Sequence, residues 1–93
     1  MQRVLIWYSG RVQGVGFRMT CANLAKGFQV TGRVFNLTDG RVELNAEGEK
    51  AELERFRDRI AIEMQRYIVD QVQQWSAAQN TWDNFGIAAD KVA

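Results

Sequence analysis

The chain has 93 residues, a formal net charge of +1, 46% hydrophobic and 25% charged residues. This is enough for one modest core, so residues 1–93 read as a single domain, and the near-zero charge gives no global basic field for nucleic acid. Histidine is absent and cysteine occurs once, which excludes Ser-His and Cys-His nucleophile pairs, a set of zinc ligands and an internal disulfide.

The first apolar run is Val4–Tyr8. It is too short for a signal-peptide core, and a spanning helix needs about 20 apolar residues. The expectation is a cytoplasmic protein without a membrane partner. Val4 to Ser9 is apolar on both faces of an alternating strand, which predicts a central position in a covered sheet. From Phe17 the period changes. Phe17, Cys21, Leu24, Ala25 and Phe28 fall on one face of a helix, with Gly27 as its stop. Val30 to Asn36 reads as a second strand, and the Asp39-Gly40 pair after it predicts a two-residue hairpin turn. Arg41 to Glu47 alternates: Val42, Leu44 and Ala46 face one way, while Arg41, Glu43, Asn45 and Glu47 make a wet face.

Glu49 to about Glu63 reads as a second helix, buried through Leu53, Phe56 and Ile60. Val69 to Trp75 and Phe85 to Ala89 are the remaining strands. The pattern is βαββαβ with a short C-terminal fifth strand. Apolar faces must be covered, so both helices pack on one face of the sheet, in an α+β, ferredoxin-like two-layer sandwich. In that topology strands one and two are parallel. The loop after the first and the end of the second, at Asn36, therefore open at the same edge of the sheet.

The loop is "GRVQGVGFR", Gly10 to Arg18. Gly14 and Gly16 permit backbone angles that other residues resist and leave no Cβ before a ligand. A loop entering a helix also aims unpaired N–H groups and partial positive charge at one spot. Such a cradle suits an anion. Arg18 in the first helical turn opposes the helix dipole by ~0.3–1 kcal/mol, a penalty that a bound anion reverses. Arginine also grips phosphate with two parallel hydrogen bonds. The same spacing equally describes a plain glycine-rich connection with a solvated arginine. There is no Gly-Lys-Ser/Thr, and Met19 stands where a dinucleotide fingerprint needs glycine. Asn36 alone reads as a turn asparagine bonded to its own backbone. Opposite the glycine loop, its amide is placed to hold a water beside an anion.

These residues resemble the acylphosphatase family. "GRVQGVGFR" is similar to its signature, and "VTGRVFNLTDGRVEL" resembles its glycine, strand, asparagine and Asp-Gly hairpin. The resemblance covers about residues 3 to 75, with "AELERF" and Val69-Asp70 in register and "FGI" at 85–87 consistent with it. It implies hydrolysis of a small acyl phosphate to carboxylate and inorganic phosphate. It implies that the loop at Gln13, Gly14, Val15, Gly16, Phe17 and Arg18 holds the phosphoryl group and that Asn36 positions the attacking water. No metal, cofactor or covalent intermediate is implied. The residues agree on one point: with no histidine and no evident carboxylate pair, the site lacks a general acid. A carboxylate is already a stable leaving group and needs none.

Departures from the family pattern lie elsewhere. "EMQRYI" at 63–68 has neither glycine nor proline, so the second helix is expected to run longer or its loop to be stiffer, with Met64 and Tyr67 extending the apolar stripe. Trp75 and Trp82 are expected to pack in the core, and Cys21 to be an inert buried thiol. The alternative function is a non-catalytic phosphate- or acyl-phosphate-binding module of the same fold. RNA binding would need exposed aromatics and a basic sheet face, which the Arg/Glu/Asn face of the third strand does not supply. A monomer with no nucleic-acid partner is expected.

Overall fold

The alternation along Val4, Ile6 and Tyr8 makes one face of the first strand fully buried. In the computed structural model, which describes all 93 residues, the elements are β1 (Gln2–Gly10), α1 (Phe17–Ala25), β2 (Thr31–Asn36), β3 (Val42–Gly48), α2 (Lys50–Glu63), β4 (Ile68–Ala77) and β5 (Phe85–Ile87). All five strands form one sheet in the order β4-β1-β3-β2-β5. β3 is antiparallel to β1 and to β2, so β1 and β2 run parallel, and β5 is parallel to β2. This is the ferredoxin-like arrangement that the sequence pattern predicts. No helix is long and apolar enough to cross a membrane.

Both helices cover the same face. Phe17, Cys21 and Ala25 of α1 and Leu53, Phe56 and Ile60 of α2 pack on Val4, Ile6, Tyr8, Val34, Val42, Leu44 and Ala46 of the sheet. Each large aliphatic or aromatic side chain so buried contributes ~1.5–3 kcal/mol. Met64 joins this core and Tyr67 packs against it. α2 nevertheless stops at Glu63, so the 64–67 segment is a turn, closed by the Tyr67 N–H on the Met64 carbonyl at 2.9 Å.

Four expectations are corrected. β1 is central, but its second face is not covered by a layer: Leu5 and Trp7 are half-buried there. Trp7 is held by its Nε1–H donating to Glu43 Oε1 at 2.9 Å and by Arg41 lying 5.8 Å from its ring centre. The β2–β3 turn is longer than two residues. The Gly40 N–H donates to the Leu37 carbonyl at 3.1 Å and the Leu37 N–H to the Arg41 carbonyl at 2.8 Å. Gly40 has φ 95°, while Asp39 does not take a positive φ, so the Asp-Gly pair closes a three-residue loop ending in a glycine bulge. Glu47 is not on a wet face but 5% exposed, because residues 79 and 80 cross over it. Trp82 stays outside the core and lies over the Arg3 guanidinium at 4.6 Å, whereas Trp75 packs against the core as expected.

Candidate active site

Register places the second site residue. Val42 pairs with Tyr8 on one side and Asn36 on the other. Tyr8 and Asn36 thus lie in one row, two strand spacings or roughly 10 Å apart. Side chains in one row share a face, so Asn36 points to the helix-covered side, as Val34 does two residues earlier. It emerges beside the start of α1 rather than into the core.

β1 shifts register between Ser9 and Gly10 and releases the chain into the loop. Val12 is 1% exposed and anchors the loop in the core. Gly14 and Gly16 both sit in the left-handed region, at φ 75° and 76°, and Val15 between them does not. Such alternation turns successive N–H groups toward one side, which makes an anion-binding nest. A Cβ on either glycine would meet no atom within 4 Å. Backbone angle, not lack of room, therefore demands glycine here.

Gly16 is also the N-cap of α1, and its carbonyl accepts the Thr20 N–H at 2.9 Å. No side chain caps the helix and no acidic residue stands in its first turn. The N–H groups of Gln13, Gly14, Val15 and Gly16 donate to no backbone or side-chain acceptor of the protein. Those of Phe17, Arg18 and Met19 have no intrahelical partner by helix geometry. The ring of Phe17 packs on Tyr8 with centres 4.8 Å apart, which fixes the helix start on the end of β1.

Gly14, Gly16, Phe17, Arg18 and Asn36 line one open cleft of about 190 Å³, together with Val12, Met19 and Ile87. That is smaller than the ~300–1,000 Å³ of drug-sized ligand pockets and suits a phosphoryl head rather than a nucleotide. The structure thus brings together four of the six predicted loop positions and Asn36. Gln13 and Val15 do not line the cleft. Val15 packs against the core. The Gln13 side chain donates through Nε2 to the Leu37 carbonyl at 2.8 Å and the Arg41 carbonyl at 2.9 Å. It thereby ties the loop to the hairpin that follows Asn36.

Asn36 does not bond to its own backbone. Its Oδ1 is buried without a hydrogen-bond partner, and leaving a buried acceptor unpaired costs ~1–3 kcal/mol. An unpaired buried acceptor calls for an explanation, and this one belongs to a residue that lines the cleft. Cys21 plays no part: burial pushes its thiol far above the usual range. Ile87 and Asp90, whose carboxylate reaches Arg18 at 3.4 Å, were not foreseen. Their placement depends on the pairing of β5 with β2, which no local spacing in the sequence reveals.

A glycine nest, an arginine and an asparagine gathered at one edge of the sheet mark out a class of ferredoxin-like α+β proteins. The acylphosphatase family pattern matches residues 4–87, and the chain belongs to that family. It is 50% identical over 56 residues to an acylphosphatase of Methanospirillum hungatei, a match spanning 60% of this chain and 62% of the relative's length. It is 36% identical over 84 residues to one of Thermobifida fusca, spanning 89% and 92%. The crystal structure of the acylphosphatase from Bacillus subtilis superposes with a TM-score of 0.85 at 31% identity, covering 95% of this chain and 99% of that one.

Proposed function

We propose that the chain is an acylphosphatase, hydrolysing acyl phosphates to a carboxylate and inorganic phosphate. The single observation that carries this reading is the cleft in which Arg18, the unpaired amides of the glycine loop and Asn36 converge. The phosphoryl oxygens accept hydrogen bonds from the amides of the cleft-lining residues Gly14, Gly16, Phe17 and Arg18, and the Arg18 guanidinium binds two of those oxygens side by side. Asn36 holds a water against the phosphorus. The water oxygen forms the new P–O bond as the bond from phosphorus to the acyl oxygen breaks, and the electron pair leaves on the carboxylate. The water's proton passes to a phosphoryl oxygen, so the site supplies position and charge rather than a base.

We propose further that residues 1–93 act as one domain, as a monomer in the cytoplasm, without nucleic acid or a metal. The charge of +1 and an outer face of β3 that carries Glu43 and Asn45 and no basic residue support the absence of a nucleic-acid partner. The test is hydrolysis of benzoyl phosphate with inorganic phosphate present. Turnover inhibited competitively by phosphate is expected. Phosphate binding with no turnover would make the site a binding module instead.

A further inference from the structure

Beyond β5 the C-terminal residues run as a strap along β2 and its turn. The Ala88 N–H donates to the Val34 carbonyl at 3.0 Å, the Lys91 N–H to the Asn36 carbonyl at 2.9 Å and the Thr38 N–H to the Lys91 carbonyl at 3.0 Å. The Ala93 N–H adds a bond to Thr38 Oγ1 at 3.0 Å. The strap is thus fixed to the backbone of Asn36 itself. From it Asp90 projects to Arg18, with Nη1 donating to Oδ1 at 3.4 Å.

This is the longest ion pair of the molecule; the other five lie between 2.5 and 3.0 Å. A settled bond between charged groups is ~2.7–2.9 Å. Asp90 is 64% exposed, and Arg18 Nη1 is the only group it contacts by a hydrogen bond. Arg18 Nε and Nη2 are engaged by no protein acceptor, so an anion can take that edge of the guanidinium. A phosphoryl dianion offers Arg18 more charge and better geometry than a loose, solvated carboxylate. The two negative groups also repel each other across one guanidinium.

We propose that Asp90 is a displaceable counter-ion of Arg18 that sets how tightly the cleft holds a phosphoryl group. This rests on the reading of Arg18 as the phosphate ligand. The strap places a competing negative charge beside the site, weakens binding of substrate and product alike, and so favours release of phosphate. A competitor lost equally from the ground state and the transition state changes affinity more than turnover.

The test is calorimetric binding of inorganic phosphate to the wild-type chain, Asp90→Asn and Asp90→Lys, with benzoyl phosphate kinetics beside it. The expected result is a Kd about two- to fivefold lower in Asp90→Asn and lower again in Asp90→Lys. The gap should narrow as salt rises to about 0.5 M, and KM should fall with Kd while kcat moves less. An unchanged Kd in Asp90→Asn would overturn the proposal. So would weaker binding in both variants, which would make Asp90 an orienting partner of Arg18. Binding is read without turnover: a chain that binds phosphate but hydrolyses nothing overturns the enzymatic reading and leaves this one standing.

Discussion

The two ends of the sheet treat their polar groups in opposite ways. At the start of β1 and the end of β3, Glu47 is buried, and every bond it needs is made. It accepts Arg3 Nε–H at 2.8 Å, the Gln79 N–H at 2.8 Å and the Asn80 N–H at 2.9 Å. Burial pushes its carboxyl up, but the Gln79 and Asn80 amides and the Arg3 guanidinium outweigh this and hold it below the usual carboxylate range. At the other end of β1 and β2, loop amides go unpaired, and the two buried polar atoms without partners are Tyr8 Oη and Asn36 Oδ1. One end has its polar groups paired; the other keeps unpaired ones, at the place where the proposed function puts the phosphoryl group. Unpaired groups gathered at one end, in a molecule able to satisfy them at the other, are what separates a site from poor packing.

Three substitutions test that division. The largest effect is expected at the open end. Arg18→Ala should lower kcat/KM for benzoyl phosphate by about 10²–10³-fold and raise the inhibition constant for phosphate. Its melting temperature should stay close to wild type, because the ion pair it loses is loose and exposed. Activity within threefold of wild type, roughly 0.7 kcal/mol, would remove Arg18 from the mechanism.

Asn36→Ala should lower kcat by about 10²-fold, the cost of a misplaced reactant, with a smaller change in phosphate affinity. Its stability should be unchanged or higher, because the substitution deletes a buried oxygen that has no partner. A clear loss of melting temperature would show that Asn36 is structural after all.

Glu47→Gln is the converse. It should cost about 2 kcal/mol of stability, a fall in melting temperature of roughly 10 °C, and leave kcat unaltered. The folded pKa of Glu47 is lowered. Its stabilisation is therefore complete above its ordinary pKa, about 4.3, and is lost as pH falls through the folded value. The gap between wild type and variant should close in acid. A gap that stays constant from pH 7 to pH 3 would contradict the ion-pair assignment.

The open end was more legible in the sequence than the closed one. Gly14, Gly16 and Arg18 announce themselves by local spacing, and the βαββαβ order alone brings Asn36 to the same edge. The helix stripes Phe17-Cys21-Ala25 and Leu53-Phe56-Ile60 are likewise local, and both are buried as read. What the sequence hides are contacts across long separations. Glu47 alternates like a solvent-facing residue, and only the return of the chain at 79–80 buries it. Trp82 looks like core and instead covers Arg3, for the same reason. The tether from Gln13 to the β2–β3 turn and the arrival of Asp90 at Arg18 depend on register between strands far apart in the chain.

The central claim is that a water held by Asn36 attacks the phosphorus of an acyl phosphate gripped by the loop and Arg18. Turnover of benzoyl phosphate in ¹⁸O-labelled water, at an enzyme concentration where the catalysed reaction far outruns the spontaneous one, tests it most directly. The account predicts the label in inorganic phosphate and none in benzoate. Label in benzoate would place the attack at the acyl carbon, outside the reach of this cradle, and would contradict it.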